Sequence, residues 1–425
     1  MKVSRFLRRT VKVVSFTILA LILLATGVIL ALYSPWLQET GRRKVVEMMN
    51  SRPGVSFRLD SFRLRFPLVV DLRNLCFISD GDTIAAAGMV HADIDPLPLL
   101  DGNASVRTLL AHDARYTMGS PDSAMYMKIK AGRIGLRPAT VNLGNMGIEL
   151  TEADLDDGRV DLVLSPDTTS NESAPSEPSS MVLKASKLNL NGFAFSMRML
   201  PVIDSLGADI AQATVSNAVI DLQKQLIEIN SFNGTRLGAS YIAPDSATIA
   251  MTPQVPDNSG SPSAPWTIKV HEIDFTDSNG LYTTRGVTPQ PGLDFAYIQA
   301  DSMHLHVNDF YNQASDISLP ITLDARERCG VKLHAKGTFA IADSTMSFSD
   351  FTINTAETHL NADGFLGMGD MTSDPRLPMG IKADGDISNA DLKMMFPFLA
   401  TYINGLPRNG HLGLEADING TPSML

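Results

Sequence analysis

The chain has 425 residues, of which 44% are hydrophobic and 19% are charged, and its formal net charge is -11. A negative charge of this size excludes general nucleic-acid affinity, because the phosphate backbone selects cationic surfaces. The apolar content excludes disorder over most of the chain, and the length corresponds to two or three ordinary domains.

The chain begins with a basic flank over residues 1–12, which carries Lys2, Arg5, Arg8, Arg9 and Lys12. Residues 13–33 then form an uncharged apolar run, and about 20 such residues rise about 30 Å as a helix, enough to cross a bilayer. Because the cationic side of a span usually stays in the cytoplasm, the sequence predicts a single-pass inner-membrane anchor, with the bulk of the chain in a bacterial periplasm.

A cleaved signal peptide is the alternative interpretation of this segment, since it also begins basic and then apolar. The retained anchor is favoured because the apolar region of a signal peptide is shorter, about 7 to 15 residues. No convincing small-x-small cleavage site follows Tyr33, and Trp36 comes where indole rings anchor a span at the membrane interface.

Residues 34–54 predict a short amphipathic helix at the membrane surface, ended by Pro53 and Gly54. Its predicted apolar stripe consists of Trp36, Leu37, Val45, Val46, Met48 and Met49, and the side chains predicted to face away are Arg42, Arg43, Lys44 and Glu47. No helix is predicted beyond it, because the apolar period changes to two at Val55.

The rest of the chain alternates apolar and polar residues, which predicts a mainly β fold with strand after strand of an antiparallel sheet. The clearest strand is Val331 to Ile341, with a break at Gly337. Six Asp-Gly or Asn-Gly dipeptides are predicted to be hairpin turns, because both residues tolerate positive φ: 157–158, 191–192, 233–234, 279–280, 409–410 and 419–420.

Composition divides the β region. The predicted organisation is a head at 55–164, a low-complexity loop at 165–180 and an elongated sheet region at 181–425 that contains a second loop at 252–265. Both loops are rich in Ser, Pro and Asn and poor in residues that could pack, so they are predicted to be solvated.

Motifs of common catalytic and nucleotide-binding sites are missing from the sequence, which therefore predicts neither an enzyme nor a cofactor. The best metal candidate is His304 and His306 on one face of a strand, with His334 on a neighbour, but exposed polar-face histidines are the favoured interpretation.

Two further groups carry little chemical signal. The acidic run Glu152, Asp154, Asp156 and Asp157 departs from a calcium loop, since Gly158 falls at position seven rather than six. Cys76 and Cys329 are too few for a disulfide scaffold; buried thiols are favoured, with a single bridge as the alternative.

Several short blocks between residues 34 and 110 carry a family resemblance. In order they are Ser34-Pro35-Trp36-Leu37-Gln38, Val55-Ser56-Phe57-Arg58-Leu59-Asp60-Ser61-Phe62, Phe66-Pro67-Leu68, Leu72-Arg73-Asn74-Leu75, Gly81-Asp82-Thr83-Ile84-Ala85, Asp93-Ile94-Asp95 and Leu97-Pro98-Leu99-Leu100. This order resembles the N-terminal region of TamB proteins of the AsmA-like superfamily, in the form seen in Bacteroidetes. Members of that family are longer, so we expect this chain to be a fragment.

The resemblance implies an inner-membrane protein whose elongated periplasmic sheet curls like a taco around an apolar groove. It also implies a role in outer-membrane biogenesis, with phospholipid as cargo and a BamA-like or TamA-like outer-membrane barrel as a possible partner. The candidate groove-lining residues are Leu188, Leu190, Leu305, Val307, Leu333, Phe339 and Ile341.

Three alternatives to a lipid-conducting groove remain open at this stage. The apolar residues could be the ordinary core between two packed sheets. The chain could be a translocation and assembly module that binds a barrel and nascent outer-membrane proteins through exposed sheet edges. It could also be a passive spacer.

Overall fold

The computed structural model describes residues 33–79, 81–98, 103–119, 125–142, 147–165, 181–200, 204–245, 266–314, 316–367, 378–399, 402, 405–407 and 409–421. Within these ranges no helix is long and apolar enough to cross a membrane. The predicted span, apart from Tyr33, lies outside the described residues, as do its flanking residues Lys2, Arg5, Arg8, Arg9 and Lys12.

The described part of the chain is mainly β, with short helices near each end. Helix α1 is Pro35–Asn50, helix α2 is Asn389–Met395, and a 3-10 turn follows at Pro397–Leu399. The first nine strands are β1 Val55–Arg58, β2 Ser61–Arg65, β3 Val69–Ser79, β4 Asp82–Asp95, β5 Asn103–Met118, β6 Met125–Asn142, β7 Ile148–Leu164, β8 Val182–Met199 and β9 Asp204–Asp221. The other nine are β10 Leu226–Ala243, β11 Thr267–Thr284, β12 Tyr297–Gln313, β13 Asp316–Glu327, β14 Lys332–Ala342, β15 Thr345–Asn354, β16 His359–Gly367, β17 Met379–Ser388 and β18 His411–Gly420.

All 18 strands belong to one sheet, in which each strand from β3 onward pairs with the next strand in the chain. Strands β1 and β2 share the outer edge of β3. The sheet is long and is not strongly curled, in contrast to the taco-like form that the resemblance implied.

Two of the pairings correct the expectation of a purely antiparallel sheet, because β7–β8 and β10–β11 are parallel. Two parallel neighbours run in the same direction. The connection between them must therefore carry the chain back along the full length of a strand, which makes it long. The connections concerned, 165–181 and 244–266, contain the low-complexity segments. The sequence shows the unusual composition of these segments, but it does not indicate that they connect parallel strands.

The prediction of hairpin turns at the Asp-Gly and Asn-Gly dipeptides is wrong for the first four of them, which lie inside strands. Asp157, with φ of 52°, is in the middle of β7, and Gly192, with φ of 64°, is in the middle of β8. Residues 233–234 and 279–280 lie within β10 and β11, while 419–420 end β18. At Asp157 and Gly192 the positive φ occurs inside a strand whose pairing register is the same on either side, so the chain is not reversed there.

Residues with positive φ line up across neighbouring strands. We name as the left-handed line the residues Asn74, Asp113, Asp157, Gly192, Arg236, Asp277 and Ser302. Small residues face this line, since a Cβ added to Gly132 would lie 3.0 Å from the Cβ of Asp157. At Asp157 the alternation of faces shifts by one residue without a change of register, so residues 153, 155, 158 and 160 of β7 still share one face.

Gly337 does not break its strand as predicted, because β14 continues through it and pairs it with Ile321 of β13. A Cβ added to Gly337 would lie 2.8 Å from the Cα of Phe351. Glycine is therefore required at this position by close packing against β15.

Helix α1 forms as predicted, but a polar residue makes its buried contact with the sheet. Its buried residue is Gln38, whose side-chain amide donates to the carbonyl oxygen of Leu64 (2.7 Å) and accepts from the Leu64 amide (3.2 Å). Asn50 bonds the backbone of Phe57 in the same two-way manner. The two side chains thus take the place of a neighbouring strand along β2 and β1, which protects this edge of the sheet.

The predicted faces of α1 are consequently corrected in two respects. Arg42 does not face away, because its guanidinium donates to the Leu59 carbonyl and to Glu39. Trp36 and Met48 of the predicted apolar stripe are 74% and 62% exposed. Hydrogen bonding to the sheet edge, which the hydrophobic period does not reveal, decides the orientation of the helix.

Helix α2 was not predicted, since it has only seven residues. Ser388 caps its N-terminus by accepting from the amides of Ala390 and Asp391. The buried carboxylate of Asp391 accepts from the hydroxyls of Thr355 and Thr358, which ties the helix to the β15–β16 turn. Polar contacts of this kind leave no periodic signal in the sequence.

Candidate functional site: an apolar strip across the sheet

One row of directly paired residues crosses the sheet from β2 to β18 and contains only apolar residues and glycine. Paired residues point to the same face of a sheet, so all members of the row share one face. In strand order they are Phe62, Leu72, Val90, Ala111, Ile134, Leu155, Leu190, Ala213, Gly234, Phe275, Leu305, Leu323, Ala335, Ile353, Leu360, Gly385 and Leu414.

A second row runs beside the first on the same face, from β2 to β14. Its members are Leu64, Val70, Ala92, Leu109, Leu136, Ala153, Leu188, Val215, Phe232, Ile273, Val307, Ile321 and Gly337. We call the two rows together the apolar strip. At a strand spacing of about 4.8 Å, the 17 strands of the first row give a length of about 77 Å along the sheet.

The structure places all seven sequence-predicted groove residues on the strip's face. Leu190 and Leu305 belong to the first row and Leu188 and Val307 to the second. The other three, Leu333, Phe339 and Ile341, lie on β14 at even spacings from Ala335 and pair with Ala325, Leu319 and Ile317 of β13.

The strip is best buried at its centre. Phe275 is 1% and Val307 2% exposed, and Leu190, Ile210 and Ala213 form a cluster with Phe275. Every described strand belongs to the same sheet, and the strand pairs with extensive contact are all neighbours in that sheet. The alternative of a core between two packed sheets is therefore wrong for the described residues, since no second sheet faces the strip there.

The opposite face of the sheet is polar and carries cross-strand ion pairs. The acidic strand β7 lies between basic residues of β6 and β8: Asp154 contacts Arg137 (2.6 Å), Asp156 contacts Arg133 (2.8 Å) and Glu149 contacts Lys184 (3.1 Å). Hydrogen bonds from Asn189 and then the Arg137 charge lower the pKa of Asp154 below its ordinary value. Asp154 and Asp156 of the acidic run thus belong to a ladder of ion pairs that joins β6, β7 and β8.

The candidate metal residues also lie on the polar face, where they pair with carboxylates. His304 and His306 both contact Asp274 (3.2 and 3.1 Å), and His334 contacts Asp324 (2.7 Å). Within the described ranges no group of three or more His, Cys, Asp or Glu residues could hold a metal ion. Cys76 and Cys329 are both free and only partly buried, so neither the bridge nor the fully buried thiols are found.

A cavity of about 510 Å³ lies between α1 and the first end of the strip. Helix α1 contributes Leu37, Gln38, Gly41, Arg42 and Val45, and the sheet contributes Phe57, Leu59, Phe62, Leu64, Leu72 and Leu75. Phe62, Leu64 and Leu72 are also the first members of the two rows. The strip therefore begins in an apolar cavity beneath the helix.

Comparisons with protein-family models, with curated proteins and with solved structures find no match to this chain. The class that the geometry defines is a mainly β protein built on one long sheet with an apolar strip on one face and ion pairs on the other.

Proposed function

We propose that this chain is an inner-membrane-anchored periplasmic protein of the TamB type that conducts phospholipids between membranes along its apolar strip. The observation that carries the proposal is the uninterrupted first row, which contains no charged or polar side chain over 17 strands. A hydrocarbon chain moving along such a surface never meets a buried charge, whose desolvation would be costly. No residue is catalytic in this account.

Lipid conduction needs a groove, whereas the sheet in the structure is open. We therefore propose in addition that the sheet becomes concave. A residue with positive φ departs from the extended backbone of a strand, so the aligned left-handed residues supply a line along which the sheet can become concave. A concave strip would shield acyl chains from water while the lipid headgroups remain in solvent.

The charge distribution supports attachment to an anionic membrane surface at the α1 end. Residues 34–79 contain eight Lys or Arg and four Asp or Glu, a net charge of +4 within a chain of net charge -11. Tyr33, Trp36 and Phe66 lie at the start of α1, where Phe66 packs edge-on against Tyr33 and Trp36 is exposed. Aromatic rings of this kind suit a membrane interface.

Lipid mass spectrometry on the full chain, purified in mild detergent, tests the proposal. We expect copurifying phospholipid, and we expect several-fold less of it in Leu333→Asp and Phe339→Asp, which place a charge on the strip's face. Thr338→Asp introduces the same charge on the opposite face of the same strand and should retain the lipid. A folded wild-type protein that carries no lipid would overturn the proposal.

Assembly of outer-membrane proteins is the second candidate, favoured by the geometry of β18. Within the described residues, β18 pairs on one side only, with β17, whereas α1 protects the opposite edge of the sheet. An open edge can accept a strand from another protein. Capture of a BamA-like barrel by lipid-free protein, lost on Leu414→Pro, would favour this function over lipid conduction.

A further inference from the structure

The cavity beneath α1 is a concave site with an almost entirely apolar lining. Its volume of about 510 Å³ falls within the range of small-molecule sites, about 300–1,000 Å³. Leu37, Gly41 and Val45 recur every four residues and present one face of the helix to it.

Gly41 lowers the stability of α1, and only the open space beside it offers a reason for a glycine at this position. A glycine inside a helix is about 1 kcal/mol less favourable than alanine. No close approach requires it, because a Cβ built on Gly41 meets no atom within 4 Å outside the helix backbone. Its φ is also not in the left-handed region. The missing side chain leaves the cavity open at the middle of α1.

The polar side chains that line the cavity are already engaged. The amide of Gln38 is bonded to the backbone of Leu64, and the guanidinium of Arg42 is bonded to Glu39 and to the Leu59 carbonyl. The remaining lining is aliphatic or aromatic, so the part of a ligand inside the cavity must be hydrocarbon. Exposed Lys44, next to the lining residue Val45 on α1, favours an anionic group outside it.

We propose that this cavity binds one acyl chain of an anionic membrane phospholipid, with α1 as its cover, as a discrete site at the membrane end of the strip. The inference rests on the proposed function for the presence of a bilayer at this end. The site would hold a single chain in place where the strip begins.

The test uses the full chain in phosphatidylglycerol nanodiscs that contain phosphatidylglycerol with a diazirine at the end of one acyl chain. Photolabelled peptides are quantified by mass spectrometry for wild type, Gly41→Phe and the matched control Gly41→Ala. Phenylalanine places a ring inside the cavity, while alanine leaves most of it open and improves the helix. Val45→Phe is the second filling variant, and circular dichroism establishes which variants fold.

We expect labelling of the α1 and β1–β3 peptides to fall about tenfold in the folded filling variants and to persist in Gly41→Ala, a change of about 1.4 kcal/mol. Equal labelling of these peptides in a filling variant and in Gly41→Ala would overturn the acyl-chain site. Label on the β8–β12 peptides with none at α1 would overturn the site while leaving lipid conduction intact, and no label anywhere would overturn both.

Discussion

The ring of Phe275 lies against the backbone of Gly234 on the neighbouring strand, so that a Cβ added to Gly234 would be 2.8 Å from Cε1 of the ring. The two residues are paired across the parallel strands β10 and β11 in the first row of the strip. Phe275, at 1% exposure, is the most deeply buried aromatic residue described. The absence of a side chain at 234 therefore makes room for the ring at the centre of the strip.

Gly234→Ala should lower the stability of the protein by about 1–3 kcal/mol, because the added methyl group also meets the Cβ of Ala213 at 2.8 Å and a backbone oxygen. The measurement is the shift in the midpoint of urea unfolding. The control is Gly413→Ala in β18, where the nearest atom to an added Cβ is 3.9 Å away and alanine should be neutral or slightly stabilising. Equal midpoints for the two variants would contradict the close packing described.

Gln38→Ala should expose the edge of β2, because the Leu64 amide loses its acceptor and the Leu64 carbonyl loses its donor. A hydrogen bond of this kind contributes about 1 kcal/mol. We expect the Leu64 amide to exchange its hydrogen about fivefold faster. Hydrogen exchange followed by mass spectrometry checks this, with Glu47→Ala on the exposed side of α1 as the control. Unchanged exchange in the β2 peptide would show that the side chain does not cap the edge.

The β7 ladder should make the protein sensitive to acid. The pKa of Asp156 is lowered by the side chains of Asn191 and Arg133, and that of Asp154 by Asn189 and Arg137. Carboxylates with a lowered folded pKa stabilise the fold above their unfolded pKa, and this contribution is lost as pH falls through the folded pKa.

Asp154→Asn should therefore be less stable than wild type at pH 7 and should lose less further stability between pH 5 and pH 2. Thermal unfolding across this range is the measurement, and Asp343→Asn in the exposed β14–β15 turn is the control. Parallel pH profiles for wild type and Asp154→Asn would mean that the ladder does not contribute.

Period-two alternation predicted the mainly β fold, and it placed all seven candidate residues on one face. It did not reveal the full rows, because each left-handed residue shifts the alternation by one and conceals which apolar residues are paired. Asp157-Gly158 illustrates the ambiguity, since a positive φ suits both a hairpin turn and an irregular residue inside a strand. Which of the two forms is decided by the neighbouring strands, where Gly132 and Gly192 provide the space.

The orientation of α1 was missed for a different reason. The hydrophobic period predicts that the apolar face of a helix is buried. Gln38 and Asn50 nevertheless face the sheet, because the backbone groups of its edge strands need hydrogen-bond partners. The cavity under the helix follows from that orientation. Nothing in the sequence around Gln38 indicates that its side chain will hydrogen-bond to the edge strand of a sheet.

Photo-crosslinking in living bacteria tests the central claim most directly, because adjacent residues sample opposite faces of one strand. The photoreactive residue p-benzoylphenylalanine is placed at Leu305 and Leu188 on the strip and at the neighbouring positions His306 and Lys187 on the polar face. The account predicts phospholipid adducts at Leu305 and Leu188 and none at His306 and Lys187. Adducts of equal yield on both faces, or none on the strip of folded protein, would contradict it.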